Sequence, residues 1–366
     1  SDKRLITTKE LYEYHQKQVE RQKENKRPYW AIVPLCNPIN FERPSKTRQG
    51  ETIRINPYLL GLLLGDGSIC DSGISITTKD QYILDKVKEI YGEENIAWDN
   101  DKHIGLNNKN ELRKQLQSYG LWNTKSLTKF IPENYLFASI VTRIELAKGL
   151  LDTDGYIDNR GHVSYTSISE QLAKDVQHLF RSLGCKATLK RGEAGYKDND
   201  GNYIQCNDAF TVYIQGESLE RFVSLPRKKE RCKEFNGNAS EPGRRITNIE
   251  YIGKGDGVCF AVDNPSGLHV VQDFIVTHNS DLMMGLATSE LSPHKKAIIF
   301  RRSYPELKDI IMRIQELYSN KGVGFKAGTA MRFDGLTGNK TLELGSVPNF
   351  SAAQKRSEEH TSELQS

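Results

Sequence analysis

The chain contains two short apolar segments of the same design, at residues 59–67 and 147–155, and each ends in Asp-Gly. Each segment also carries two small residues four positions apart: Gly61 with Gly65, and Gly149 with Thr153. A spacing of four places small residues on one face of a helix, where two backbones can approach closely. The pattern therefore predicts two helices that pack against each other through these faces.

The two segments place one aspartate each, Asp66 and Asp154, at the end of its predicted helix. The carboxyl end of a helix carries partial negative charge, so a carboxylate there is unfavourable unless a cation is close by. Two parallel helices would bring both carboxylates together, and oxygen ligands of this kind suit Mg²⁺. Bound metal could then support hydrolysis of a phosphodiester. Gly67 and Gly155 are expected in the left-handed conformation just past each helix end.

Similar strand and helix patterns follow both segments, and the two aspartates lie 88 residues apart. Each half of this region is therefore predicted as helix, two strands, helix, two strands, helix, which is an α+β fold made by duplication. The predicted strands lie at 68–70, 73–78, 156–157, 162–168, 186–190 and 209–214, and the predicted helices between them at 79–91 and 169–183.

Both apolar segments resemble the LAGLIDADG (DOD-type) motifs of homing endonucleases. The resemblance implies a duplicated αββαββα domain whose strands form a saddle on the major groove of double-stranded DNA. It also implies Mg²⁺ as the cofactor and Asp66 and Asp154 as catalytic metal ligands. Two motifs in one chain imply a monomer with internal pseudo-two-fold symmetry. Leu64 departs from the family pattern, which often has an acidic residue there.

Two lysines are candidates for stabilising negative charge that develops during cleavage. Residues 129–132, Lys-Phe-Ile-Pro, resemble the Lys-x-Ile-Pro block that these endonucleases carry between their motifs. The resemblance places Lys129 near the active site, although a surface lysine before a proline turn is the alternative. Lys190 is the candidate for the equivalent lysine of the second half, on topology alone.

The segment 246–277 is rich in β-forming residues and is followed by His278, Asn279 and Ser280. Three strands are predicted in it, at 249–252, 258–262 and 270–276. The segment resembles the C-terminal part of the Hint splicing fold of inteins. In that chemistry the Asn279 amide attacks its own carbonyl, His278 assists the leaving amine, and Ser280 is the nucleophile that accepts the upstream segment. Asp263 and His269 remain alternatives for a helper residue.

From Ser280 onward the chain resembles the ATPase region of phage terminase large subunits, the motors that package viral DNA. The resemblance implies an α/β P-loop fold in which Ser280 binds Mg²⁺ beside a nucleotide, with ATP as the ligand of the complete host terminase only. The intein would then interrupt a Gly-Lys-Ser loop. A helix at 281–289 and a buried strand at 297–300 are predicted here.

The resulting domain organisation has five parts. The N-terminal part is expected to be the truncated end of a splicing region, since no Cys, Ser or Ala followed by a Thr-x-x-His block precedes the endonuclease. The last eleven residues resemble a translated sequencing adapter, so the natural chain is expected to continue beyond about Lys355. The parts are 1–50 (splicing region or linker), 51–235 (endonuclease), 240–279 (C-terminal Hint segment), 280–355 (terminase fragment) and 356–366 (artefact).

Composition adds few constraints to this picture. With 51 basic and 47 acidic residues the net charge is only +4, so it does not by itself indicate nucleic acid. The basic cluster 227–233 is most simply a solvated face. Six scattered cysteines without a Cys-x-x-Cys pair argue against a zinc site and suit a reducing cytoplasm, here that of a phage-bearing bacterium. Alternatives to an active nuclease are a non-cleaving DNA-binding protein, a degenerate intein and a plain ATPase.

Overall fold

The computed structural model describes a large central part of the chain and several shorter pieces. Among the predictions, Asn279, Ser280, Asp263, the helix at 281–289, the strand at 258–262 and the segment 356–366 lie outside the described residues. The described residues are 8–41, 54–100, 102–107, 111–193, 195–197, 203–205, 207–233, 243–250, 268–278, 296–301, 307–308, 311–312, 314–315, 324–326, 331–336 and 340–346.

The chain divides into two compact units. One contains Ile32–Ile246 with Val270–Val276, and the other contains Ser1–Ala31, Thr247–His269 and Thr277–Ser366. The first unit includes the whole predicted endonuclease region. It extends beyond 51–235 because short segments from both sides of that region pack onto it.

The first half of the large unit is built around helix α2. Asn56 caps this helix by accepting hydrogen bonds from the backbone amides of Tyr58 and Leu59, and Pro57 occupies its first turn. Seven of its eight residues are buried, as expected for a helix that is apolar on every side. The elements of this half are α2 (Pro57–Leu64), β2 (Gly67–Cys70), β3 (Gly73–Thr77), α3 (Gln81–Tyr91), β4 (Ile96–Asn100), β5 (His103–Leu106) and α4 (Glu111–Ser118).

The second half repeats this order around helix α6, which Ser139 caps. A connecting segment with the short helix α5 (Glu133–Leu136) precedes it, and the hairpin β9–β10 is inserted before the last strand. The elements are α6 (Ile140–Thr153), β6 (Gly155–Ile157), β7 (Val163–Ser167), α7 (Glu170–Ser182), β8 (Lys186–Gly192), β9 (Gly195–Lys197), β10 (Tyr203–Gln205), β11 (Ala209–Gln215) and α8 (Pro226–Lys233).

The two halves have the same sheet topology. One antiparallel sheet has the order β2-β3-β5-β4 and the other has the order β6-β7-β11-β8. Helices α2 and α6 pack against each other between them, and a single hydrophobic cluster contains buried residues of both halves. The predicted duplication of helix, two strands, helix, two strands and helix is therefore present in the structure.

The prediction for Gly67 and Gly155 was wrong. Neither has a positive φ, and each begins a strand instead of ending a helix. A Cβ on Gly67 would lie 2.4 Å from the carbonyl oxygen of Leu63, and one on Gly155 would lie 2.3 Å from that of Leu151. Glycine is required here because the strand turns back closely onto the helix that precedes it.

Short strands from outside the duplicated region complete the described structure. The predicted strand 270–276 is interrupted by a helical turn at Gln272–Phe274, in which Asp273 has a φ of 61°. Residues 249–250 are not in a strand. The remaining elements are α1 (Thr8–Lys23), β1 (Ile32–Pro34), β12 (Gly243–Arg245), β13 (Leu268–Val271), β14 (Ile275–His278), β15 (Lys296–Arg301), β16 (Gly324–Lys326), β17 (Met331–Leu336) and β18 (Lys340–Ser346).

In the smaller unit, strands β15 to β18 form a sheet of order β15-β18-β17-β16, with β15 parallel to β18. The strand predicted at 297–300 lies within β15. No helix in the part of the chain that the structure describes combines the length and apolar character needed to cross a membrane.

Candidate active site at the ends of the paired helices

The contact between α2 and α6 is made backbone to backbone. A Cβ on Gly61 would lie 2.5 Å from the carbonyl oxygen of Leu146, and one on Gly149 would lie 2.2 Å from that of Tyr58. One turn further along, a Cβ on Gly65 would lie 2.0 Å from Thr153 Oγ1. The small-residue faces predicted from the sequence therefore form the interface, and both helices end at the same place.

This close packing brings Asp66 and Asp154 into one electrostatic environment. A Cβ on Gly65 would lie only 3.3 Å from a carboxylate oxygen of Asp154. Burial, and then the nearby charge of Asp66, raises the pKa of Asp154 to about 6. Burial also raises the pKa of Asp66, while Lys129 and Lys228 oppose that rise. Two carboxylates are thus held, at an energetic cost, where a cation would be favourable.

Lys129 lies close to both aspartates and is buried, with 4% of its surface exposed. Its ammonium group donates hydrogen bonds to the carbonyl oxygens of Leu63, Gly65 and Gly67 at 2.9, 3.1 and 2.8 Å. These oxygens lie at and just beyond the carboxyl end of α2, where positive charge is favourable. Burial lowers the pKa of Lys129 to about 8, although both aspartates oppose the shift.

Lys228 occupies the corresponding position at the end of α6. Its ammonium group lies within 3.1 Å of four carbonyl oxygens, those of Leu151, Asp152, Thr153 and Gly155. It is 7% exposed, and burial lowers its pKa to about 8. The interpretation of 227–233 as a solvated face was therefore wrong for this residue. A lysine two or three positions from a proline, after the last strand of each half, is the sequence signal that could have identified it.

Lys190, the residue predicted as the second lysine, lies elsewhere. It belongs to β8, is exposed, and its ammonium lies 5.3 Å from the centre of the Tyr213 ring. The prediction of equivalence to Lys129 was wrong, because the chain returns to the end of α6 through α8 and not through β8.

Asp152 and Leu64 occupy the same position in the two motifs and have different surroundings. Leu64 is 1% exposed and lies in the core. Asp152 is also buried, but it accepts hydrogen bonds from the Tyr58 hydroxyl at 2.8 Å and from the amides of Ser224 and Leu225 at 3.0 Å. It thereby connects α2 and α6 to the segment that leads to Lys228.

Tyr165 lies near the two aspartates, and its hydroxyl is buried without a hydrogen-bond partner within the described part of the chain. Its side chain is completely buried. Burial, followed by the charges of Asp154 and Asp66, raises its pKa. An unpartnered buried hydroxyl costs free energy unless water or a ligand satisfies it. The residues at this site therefore fit a hydrated cation.

The donor set narrows the choice of cation. The described residues include no cluster of three or more His, Cys, Asp or Glu side chains arranged to hold a metal. Mg²⁺ is often held by one or two carboxylates and keeps several waters. Asp66 and Asp154, with the Tyr165 hydroxyl near them, fit that kind of site.

Each sheet has one face on the core and one face exposed, and the exposed faces carry polar side chains together with the aromatic residues Trp98, Tyr156 and Tyr213. In the first sheet, Thr77 Oγ1 lies 3.0 Å from His103 Nδ1, and His103 is paired in register with Asn100. In the second sheet, Thr211 is paired with both Thr166 and Lys190. Each sheet thus carries hydrogen-bonding side chains on its exposed face, and the first strand of each sheet, β2 or β6, begins next to one of the aspartates.

The residues of the predicted splice junction are only partly described. His278 is the last residue of β14, and His269 lies in β13. Within the large unit, Asp273 forms an ion pair with Arg181 of α7, and the Phe274 ring packs edge-on against His178, with centroids 4.8 Å apart. The segment before the junction thus packs against α7 of the second half.

Comparisons with known proteins match parts of this chain. Residues 143–225 match the LAGLIDADG-like domain family. The chain is 29% identical over 266 residues to a replicative DNA helicase DnaB of Mycobacterium intracellulare, covering 71% of this chain and 41% of the helicase. It is 23% identical over 195 residues to the homothallic switching endonuclease of Saccharomyces cerevisiae, covering 45% of this chain and 33% of that protein.

A mesophilic variant of the homing endonuclease I-DmoI aligns with 49% of this chain and 96% of its own, at 14% identity and a TM-score of 0.31. The chain spans less than half the length of the two sequence relatives above. The family match covers α6 to the end of the second sheet, which includes Asp154. The chain therefore contains a LAGLIDADG-like domain.

Proposed function

We propose that the large unit is a site-specific endonuclease that hydrolyses both strands of double-stranded DNA. The observation that carries the proposal is the convergence of Asp66 and Asp154 at one end of two helices, each accompanied by a buried lysine. Perturbed ionisable groups gathered at one place are typical of catalytic sites. The pseudo-two-fold arrangement suits a duplex, whose strands are themselves related by two-fold symmetry, and suits action as a monomer.

The carboxylates of Asp66 and Asp154 would hold Mg²⁺, which supplies charge neutralisation at the scissile phosphates and an activated water. Three side chains around the two carboxylates support this site. Lys129 and Lys228 neutralise the carbonyl dipoles at the helix ends and lower the cost of two ionised carboxylates. The Tyr165 hydroxyl, which has no partner among the described residues, can donate a hydrogen bond to a water bound near the carboxylates.

The exposed faces of the two sheets would bind the DNA. Thr77, His103 and Asn100 in one sheet, and Thr166 and Lys190 in the other, can donate or accept hydrogen bonds at base edges or phosphates. The net charge of +4 is small. Affinity would therefore depend on local contacts of this kind rather than on the overall charge of the chain.

The direct test uses a library of random duplex DNA incubated with the purified chain and Mg²⁺, followed by sequencing of the cut ends. We expect one recurrent cut site, and loss of cutting in Asp66→Asn and Asp154→Asn. The matched control is Asp99→Asn, since the Asp99 carboxylate pairs with Lys88 away from the site. Binding without cutting by the wild-type chain would support the alternative, a non-cleaving DNA-binding protein.

We further propose that this nuclease is nested in an intein. Proteins described as a helicase and as a switching endonuclease both match this chain over a limited part of their length. A segment shared between proteins with different names is what an inserted element produces. The strands β13 and β14 lead directly to His278-Asn279-Ser280, the residue types that cyclisation and transfer require. A degenerate intein that no longer splices is the alternative.

The host that we propose is a phage terminase large subunit, carried in the cytoplasm of a bacterium. Support comes from the resemblance of the sequence after Ser280, and Ser280 itself would bind Mg²⁺ next to ATP in the complete host. The test is to sequence the gene upstream of the codon for Ser1. A host segment ending in Gly-Lys, followed by Cys, Ser or Ala and a Thr-x-x-His block, is expected. A different host segment would contradict the terminase assignment and leave the nuclease proposal intact.

A further inference from the structure

The lysine that serves the first motif is held by residues of the second half. The ammonium group of Lys129 contacts the end of α2, but its backbone carbonyl accepts a hydrogen bond of 2.7 Å from Ser169 Oγ. Two residues later, the amide of Ile131 donates to the Asp175 carboxylate at 2.8 Å. Ser169 caps α7 and Asp175 lies within α7, and both are buried.

The lysine that serves the second motif is held in the reverse direction. Lys228 contacts the end of α6, while its neighbour Arg227 donates two hydrogen bonds to the Asp80 carboxylate, at 3.1 and 2.7 Å. Asp80 is the residue before α3, in the first half. The side chains of these two residues join positions that are 147 residues apart in the chain.

Asp80 has an unusual arrangement for its position. It occupies the N-cap of α3, where an aspartate normally accepts a hydrogen bond from the helix, yet its side chain makes no capping hydrogen bond. Its carboxylate bonds to Arg227 instead. Ser169, at the same position of α7, accepts from the amide of Leu172 and also donates to Lys129. Both N-cap side chains are thus directed toward the segment that carries the other motif's lysine.

We propose that Ser169 and Asp80 are positioning residues. Ser169 fixes the position of Lys129 at the first motif, and Asp80, through Arg227, fixes that of Lys228 at the second, each from the opposite half of the domain. This inference rests on the proposed nuclease function. Each lysine then reaches its helix end only while the two halves are docked, so that correct assembly of the halves prepares both centres. Loss of Ser169 or Asp80 affects one lysine, and therefore slows cleavage of one DNA strand more than cleavage of the other.

The experiment measures single-turnover cleavage of a duplex target whose two strands carry different 5′ fluorophores. Asp80→Ala is expected to slow one strand by roughly five-fold relative to the other, as for the loss of one well-formed ion pair, so that nicked DNA accumulates. Ser169→Ala is expected to slow the opposite strand. Asp80→Glu, which can still reach Arg227, should restore much of the lost rate.

Two controls separate positioning from general destabilisation. Asp99→Ala breaks another ion pair of the first half, with Lys88, and should leave the ratio of the two strand rates unchanged. An Asp80→Arg, Arg227→Asp double variant, which exchanges the two charges, should return the ratio of the two strand rates to its wild-type value. Equal slowing of both strands, or no slowing, in Asp80→Ala and Ser169→Ala would overturn the inference. A wild-type chain that cleaves neither strand would instead overturn the proposed function.

Discussion

Gly61 and Gly149 face each other across the helix pair so closely that a Cβ on either would lie less than 3.0 Å from the α-carbon of the other. No other residue type leaves room for this approach, and it is the approach that brings the ends of α2 and α6 together. The position of the candidate active site is therefore decided by the absence of two side chains.

Replacing either of these glycines should destabilise the domain strongly. Gly149→Ala would place a methyl group 2.2 Å from the carbonyl oxygen of Tyr58, so the helices must separate. We expect a loss of about 1–3 kcal/mol in the free energy of unfolding, measured by chemical denaturation. Gly192→Ala is the matched control, because its Cβ would meet only the Ala209 carbonyl oxygen, at 3.9 Å. Equal effects of the two variants would contradict this account.

The stability of the metal-free protein should depend on the charge of Asp154. Its folded pKa of about 6 lies above the ordinary 3.8, so the folded state binds more protons than the unfolded state between these values. The free energy of unfolding therefore falls as pH rises from about 4 to about 6. Asp154→Asn should stabilise the metal-free chain above pH 6 by up to about 3 kcal/mol and have no effect near pH 4.

Thermal melts of both forms across this pH range, with EDTA present, would measure the difference. Addition of Mg²⁺ at pH 7.5 should raise the Tm of the wild-type chain more than that of Asp154→Asn, since the cation needs the ionised carboxylate. A difference between the two forms that grows toward low pH would contradict the assigned direction of the pKa shift.

Lys228 and Lys190 should differ in the kind of defect that their replacement causes. Lys228→Met leaves four carbonyl oxygens without their donor and removes a positive charge beside the carboxylates, so the cleavage rate at saturating protein should fall at least about ten-fold. Lys190→Met should keep that rate but weaken DNA binding. The slope of the logarithm of the binding constant against the logarithm of the salt concentration should also fall by about one. Single-turnover rates measure the cleavage defect, and gel-shift titrations at several salt concentrations measure the binding defect.

Arg143 should hold the segment before the first half in place. Its side chain is completely buried, donates to the carbonyl oxygens of Ala138, Ser182 and Ile39, and lies over the Phe41 ring. Arg143→Met would leave these acceptors unsatisfied and should cost at least about 2 kcal/mol. Hydrogen exchange should accelerate at Ile39, whose amide bonds to the Ser182 carbonyl. The exposed Arg160, replaced in the same way, should change neither measurement.

Local patterns determined much of this protein. The four-residue spacing of Gly61 with Gly65, and of Gly149 with Thr153, predicted the helix interface, because close packing needs small residues on one face. The repeat of strands and helices after each motif predicted the duplication, since side-chain periodicity depends on neighbours in sequence. These features follow from interactions between residues that are a few positions apart.

Only the tertiary structure decided which groups surround the aspartates. Lys228 belongs to a charged run that looks like a solvated face, and it becomes buried because the open carbonyl groups at the end of α6 accept its ammonium group. Gly67 and Gly155 proved to be needed for a close backbone contact and not for a left-handed conformation. Asp80 and Arg227 meet only when the halves dock. Contacts between such distant residues depend on how the helices and sheets pack, which no local pattern in the sequence encodes.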